Sequence, residues 1–215
     1  MESIITPIQA ITLTPFAYHS LMVQGGSATL PELIGDQALA FGLAATLGWM
    51  DARLLLPDKD YRRHLRAMPY RTSVLTTPEP RLLAPLTRRF NLDSEGGFQK
   101  KLDDVTRKGN LKTFFHTQEV PPDQHFYGAV FGFNPFAYTG KDMLVIRVGL
   151  HRNGMVALKP CDAETPVNSV RLNAATAVLF NPRSRLRVSR YCLHSLQLSA
   201  EMPLQDAFAE VNQWN

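Results

Sequence analysis

The stretch ELIGDQALAFGLAATL, residues 32 to 47, decides how the chain is read. Leu33, Leu39, Leu43 and Leu47 recur at helical spacing, and Pro31 stands where a first helical turn tolerates proline. The spacing predicts a helix from Glu32 to Leu47. Ala38, Ala40, Gly42, Ala44 and Ala45 keep its surface small and point to close approach to a sheet, although Gly42 costs about 1 kcal/mol of helix propensity relative to Ala. Upstream, Ile4 to Leu13 alternates loosely, is rich in Ile and Thr, and ends at Thr14-Pro15, so it reads as a first strand; a loop containing Gly25-Gly26 follows. Downstream of Pro121-Pro122, strands are expected at His125 to Phe133, Met143 to Leu150, Met155 to Leu158, Thr176 to Phe180 and Leu186 to Leu198. Each is bounded by Gly, Pro or Asn. Leu204 to Val211 reads as a short closing helix. A strand, a helix, an insertion and then several strands predict a single α+β domain over residues 1–215, a sandwich of the ferredoxin-like type.

The insertion is basic. From Arg53 to Lys112 the chain holds 14 of its 23 Lys+Arg and 7 of its 19 Asp+Glu, a net charge of +7 against −3 for the remainder. Pro57, Pro69, Pro78, Pro80 and Pro85 interrupt any long element, leaving short helices at Asp58 to Met68 and Gly97 to Lys108. Residues 51–115 are therefore expected to form an inserted arm that adds little to the core. A charge excess of this kind suits a polyanion, because each neutralised phosphate releases condensed counterions. A solvated surface insertion has the same composition.

With 215 residues and 45% hydrophobic content, the chain is long enough for one well-filled core. The weakly polar run from Ala38 to Met50 is too short to span a bilayer, and the opening MESIITPIQAITLTP has no basic start or apolar core of a signal peptide, so a cytoplasmic protein is expected. Cys161 and Cys192 are too few for a zinc site or a disulfide scaffold and read as reduced thiols. His19, His64, His116, His125, His151 and His194 form no HExxH and no tight ligand cluster. There is likewise no GxSxG, P-loop or strand-linked GxGxxG. No metal, cofactor or conventional catalytic motif is expected.

Three stretches fit nucleic acid. In IRVGLHRNGMV, from Ile146 to Val156, Arg147 and a turn carrying Gly149, His151, Arg152 and Gly154 combine cations with glycines that permit backbone approach; an ordinary hairpin with a charged tip reads the same way. In NPRSRLRVSRY, Arg183, Arg185 and Arg187 fall at strand spacing and project from one face, as they also would on a solvated strand. In RKGNLKTFFHT, Arg107, Lys108 and Lys112 precede Phe114 and Phe115, which suits stacked bases and their phosphates or, equally, core anchors.

Taken in order, Gly25-Gly26, LPELIGDQALAFGLAATLGW with its Ile34-Gly35-Asp36, the basic arm, KTFF, and MLVIRVGLHRNGMVALKP resemble the CRISPR-associated RAMP proteins. The order is most similar to the small subunit that caps the crRNA 5′ end in type I Cascade complexes, in particular the type I-D branch. The characteristic first-strand opening of the commoner branches is absent. The resemblance implies an RRM-related body with a protruding thumb. It further implies a non-catalytic subunit that binds the repeat-derived 5′ handle and docks the backbone subunit, with crRNA and the backbone and large subunits as partners. By position, Arg147, His151 and Arg152 would lie near the handle and Lys112 at the thumb's base. Three alternatives stand beside it. One is a metal-independent endoribonuclease using His116 with Lys112, or Tyr191 with His194, as acid and base; another is a subunit contacting the flanking motif of target DNA; the third is an interaction module whose basic arm only docks an acidic partner protein.

Overall fold

The computed structural model describes residues 4–18, 20–23, 26–50, 60–89, 114–149, 154–161, 164 and 166–214. In chain order its first half contains β1 (Ile5–Thr12), β2 (Ser20–Val23), β3 (Gly26–Thr29), β4 (Leu33–Ile34), α1 (Asp36–Thr46), α2 (Tyr61–Ala67), β5 (Arg71–Thr72), β6 (Leu75–Thr76), β7 (Leu86–Arg89) and β8 (Phe114–Gln118). The second half contains β9 (His125–Phe131), α3 (Pro135–Thr139), β10 (Leu144–Arg147), β11 (Met155–Pro160), β12 (Ser169–Val170), α4 (Ala174–Phe180), β13 (Val188–Leu193), β14 (Leu196–Ser199), β15 (Met202–Pro203) and α5 (Leu204–Val211).

The central strand is β1. Its even-numbered residues Thr6, Ile8, Ala10 and Thr12 are buried and its odd-numbered ones half-buried, the period-2 signature of a strand with two unlike faces. It pairs antiparallel with β9 on one side, Gln9 opposite Tyr127, and with β11 on the other, Gln9 opposite Lys159. The sheet runs β10-β11-β1-β9-β6-β4, and β5 also pairs with β9. Around β1 the order β11-β1-β9-β5/β6, with α1 between β1 and β5 and α3 between β9 and β11, is the split β-α-β arrangement of the ferredoxin-like fold. The expected α+β class is thus present, with β10 and β4 extending its edges.

Helix α1 lies close to the sheet, as its small residues predict: a Cβ added at Gly42 would stand 3.0 Å from the Arg147 carbonyl oxygen and 3.3 Å from the Ile146 side chain. Leu39 and Leu43 from this helix share a core with Ile8, Ala10, Phe126, Val130, Ile146 and Leu158. The helix starts four residues later than its apolar spacing suggests. Leu33 and Ile34 pair with Thr76 and Leu75 instead, so β4 takes the segment assigned to the first turn.

The basic stretch divides differently from the expected arm. Residues 60–76 belong to the body: Leu65, Met68, Tyr70 and Leu75 are buried in the main core, and β5 and β6 supply neighbours for β9. Its arginines are partly structural. Arg71 Nη1 donates to the carbonyls of Leu65, Met68 and Tyr70 at 3.2, 2.8 and 2.8 Å, and its guanidinium lies 4.2 Å from the centre of the Phe180 ring. It thereby supplies donors to carbonyls at and just beyond the end of α2, where the chain turns extended at Met68. Burial, and secondarily the charge of Arg66, lowers its pKa to about 10, which leaves it charged at neutral pH. Arg66 Nη2 donates to the Phe180 carbonyl, and Arg81 to Gln124 and the Asp123 carbonyl.

A second sheet, ordered β2-β3-β8-β7, stands where a loop was expected around Gly25-Gly26. Gly25 is outside the described residues, while Gly26 pairs with Val23 and, in parallel, with His116. In the antiparallel β7–β8 pair Arg89 faces Phe114, so residues 90–113 connect two adjacent strand ends; the helix expected from Gly97 to Lys108 lies outside the described residues. Two strand expectations change in the C-terminal half. Thr176 to Phe180 is part of α4, because Asn173 accepts from Ala175 N at 3.1 Å and caps a helix against the strand propensity of the TAVLF run. Leu186 to Leu198 is the β13–β14 hairpin, turned at His194-Ser195.

Two predictions follow from the packing. Gly42→Leu is expected to destabilise the protein by about 1 to 3 kcal/mol, read from denaturant unfolding, because the added atoms meet backbone. Replacing residues 90–113 by a two-residue Asn-Gly turn is expected to leave a cooperatively melting body, whereas deleting Arg53 to Asn110 removes β5, β6 and core residues and yields none. Circular dichroism melts of both chains check this.

Candidate nucleic-acid interface

The segment 181–187 begins with Asn181-Pro182, a turn-initiating pair. Asn181 Oδ1 accepts from Arg183 N at 3.0 Å, the Asn181 carbonyl from Ser184 N at 2.8 Å, and Ser184 Oγ from Leu186 N at 3.3 Å. These local bonds hold the chain that carries the arginines. Ser184 and Leu186 are half-buried, Ser184 Oγ donating to Glu210 Oε1 at 3.2 Å, while Arg183, Arg185 and Arg187 are exposed. The three arginines precede β13 rather than lying on a strand, which corrects the strand assignment. Their alternation survives because the inward positions are tied to α5 and the core.

All three line one cavity of about 460 Å³, whose remaining walls include Asn181, Ala200, Met202 and Gln213. Glu210 is the acidic group on the rim, and its Oε1 is already engaged by Ser184 and by Trp214 Nε1 at 3.2 Å. The guanidinium groups of Arg183, Arg185 and Arg187 make no hydrogen bond or ion pair with another described residue. Arg190, further along, is paired with Glu32. An open groove with three unpaired forked donors is suited to phosphate or carboxylate oxygens.

The other predicted contacts are distributed differently. Arg107, Lys108, Lys112, His151 and Arg152 lie outside the described residues. Arg147 is exposed at the end of β10 and has a partner of its own. Gly149 and Gly154 have φ of +84° and +91°, so both need glycine. The approach they permit is to the protein's own chain: added Cβ atoms would meet the Ala17 carbonyl at 2.8 Å and the Val148 carbonyl at 2.0 Å. Thr14 Oγ1 further accepts from the amides of Gly154 and Met155, both at 2.9 Å. The expectation that Gly149 and Gly154 leave room for RNA is corrected accordingly. Of the alternative acid–base pairs, His116 is exposed on β8 with a partner, while Tyr191 and His194 are exposed on the β13–β14 hairpin.

Ile34-Gly35-Asp36, the string at the start of the resemblance, has an architectural role. Asp36 opens α1 and is buried, and its Oδ1 accepts from Asn173 Nδ2 at 2.8 Å. Burial pushes its carboxyl up to about 6, against opposing hydrogen bonds from Thr176 and Asn173. Among the described residues no group of three His, Cys, Asp or Glu is placed to hold a metal ion, and no described helix is long and apolar enough to cross a membrane.

No family model matches the chain, and no curated protein matches it. Among solved structures, the chain is similar to a subunit in the cryo-EM structure of the type III-B Cmr-beta complex bound to cognate target RNA and AMPPnP. The identity is 11% and the TM-score 0.46, covering 96% of this chain and 88% of that one.

The Asp36 carboxyl has a folded pKa raised above its unfolded value of 3.8, so its contribution to stability is full below about pH 3.8 and is lost as pH rises through about 6. The two-unit displacement corresponds to about 3 kcal/mol. Asp36→Asn keeps the acceptor for Asn173 and removes the titration. Its melting temperature, relative to the unmodified protein, is expected to rise between pH 4 and pH 7; a difference that stays constant across that window contradicts the assignment.

Proposed function

We propose that this chain is a non-catalytic RNA-binding subunit of a CRISPR effector ribonucleoprotein, holding the 5′ handle of crRNA and docking a backbone subunit. The sequence resemblance motivates the choice of complex. The observation that carries RNA binding is the groove of Arg183, Arg185 and Arg187, three cations unpaired among the described residues and displayed in alternation by a locally hydrogen-bonded segment. In guide-dependent systems base pairing reads the sequence, so such a subunit chiefly needs backbone contacts and a partner surface. The similar solved chain belongs to a type III-B complex rather than a type I-D one, and the proposal is made for the RAMP class without a branch. The described cations of the basic stretch add to this field only where, unlike Arg71 and Arg81, they are free of structural bonds.

The unmodified protein is expected to bind repeat-derived RNA with an affinity that falls steeply with salt. Replacing Arg183, Arg185 and Arg187 together by Ala is expected to reduce the slope of log K against log salt by about 2, at about 0.7 per phosphate on a single strand, without loss of fold. An unchanged slope removes the groove from the interface. Incubating labelled repeat RNA with the protein in EDTA tests the endoribonuclease reading, for which His116, Tyr191 and His194 are exposed candidates; a single metal-independent cut would replace the non-catalytic assignment.

A further inference from the structure

A second surface, absent from the three sequence stretches, lies on the main sheet. The alternation of β1 sends Ile8 and Ala10 toward α1 and sends Gln9 and Ile11 to the opposite face. Register places one row across four strands: Lys159 on β11, Gln9 on β1, Tyr127 on β9 and Thr76 on β6. The adjoining row is Val145, Ala157, Ile11 and His125. Gln9 Nε2 lies 3.2 Å from His125 Nδ1 and donates to the Tyr127 hydroxyl at 3.3 Å, so one amide orients both rings. His125 and Lys159 are exposed and Tyr127 is half-buried. Helix α5 meets this face at its other end, where Phe208 packs on Phe131 with ring centres 6.4 Å apart.

Charge selects the occupant. The strands β1, β9, β10 and β11 contain no Asp or Glu, and their ionisable side chains are His125, Tyr127, Arg147 and Lys159. Two oriented rings beside a cation, on the central strands of an antiparallel sheet, match what unpaired bases need: π-faces for stacking and a positive charge for the phosphate between them. The Gln9 amide nitrogen faces both rings, and its oxygen, bonded to no described residue, can accept from a base edge.

We infer that Gln9, His125, Tyr127 and Lys159 form a stacking platform for one or two unpaired bases of single-stranded RNA. This rests on the RNA-binding reading and deepens it: the arginine groove supplies sequence-independent phosphate contacts, whereas the platform responds to the presence of bases.

The test uses the full chain, a 4-thiouridine-substituted RNA for crosslinking, and the same RNA with abasic spacers for binding. Crosslinks are expected on the peptide containing His125 and Tyr127. Tyr127→Ala is expected to weaken binding of the base-bearing RNA tenfold or more, by loss of one stacked base. Tyr127→Phe is expected to retain most of the affinity, and His125→Ala, at an exposed position, provides a second variant if Tyr127→Ala does not fold. Neither alanine variant should change binding of the abasic RNA. Equal weakening for both RNAs, no weakening in either folded alanine variant, or crosslinks confined to other peptides overturns the platform. In those cases a salt slope that still depends on Arg183, Arg185 and Arg187 leaves the RNA-binding proposal standing. If the unmodified protein binds no RNA, both fall.

Discussion

The side chain of Asn173 is the junction on which the two halves of the molecule depend. Its Nδ2 reaches Asp36 Oδ1, Thr176 Oγ1 and the Ser195 carbonyl at 2.8, 3.1 and 2.9 Å, while its Oδ1 accepts from Ala175 N and Gln197 N at 3.1 and 3.0 Å. One buried amide therefore caps α4, anchors the β13–β14 hairpin and ties both to the first residue of α1. Removing it would strand several buried polar groups, each costing about 1 to 3 kcal/mol. A network of this kind is stable only when its members are satisfied together. It also fixes the frame of the arginine groove, because the segment 181–187 runs from the end of α4 to the start of β13.

The positive charge of this protein serves two purposes that composition cannot separate. Arg71 lies inside the fold, holding carbonyls and stacking on Phe180, and Arg66 and Arg81 brace neighbouring backbone. Arg183, Arg185 and Arg187 are exposed, without partners among the described residues. A guanidinium whose donors are already used has little left for an external phosphate, so the distribution of unpaired donors, rather than net charge, indicates where a polyanion would sit. The glycines of the 146–156 turn give a parallel lesson. Positive φ and close approach are real at Gly149 and Gly154, yet the approaching group is the protein's own carbonyl.

The parts legible in the sequence were those governed by local periodicity. The alternation of β1, the helical spacing and small residues of α1, and the amphipathic α5 each follow from one face being buried, and together they led to the α+β class. The charge excess between Arg53 and Lys112 was equally plain. Its division was not, because Leu65, Met68, Tyr70 and Leu75 are scattered among prolines and arginines with no run long enough to announce a core element.

What the sequence determined by itself was therefore the set of amphipathic elements and the presence of closely spaced arginines, since both arise from the order of neighbouring residues. Tertiary structure decided the rest. Asn173 capping turned the strand-prone TAVLF run into α4, pairing of β5 and β6 with β9 drew part of the basic stretch into the body, and register aligned Lys159, Gln9 and Tyr127 across three strands. The pairings and the register depend on hydrogen-bond partners tens to more than a hundred residues away, and the α4 cap, though its bond to Ala175 is local, is held by an Asn173 amide that Asp36, Ser195 and Gln197 anchor from a distance; no local pattern of side chains records which distant group will satisfy a given donor.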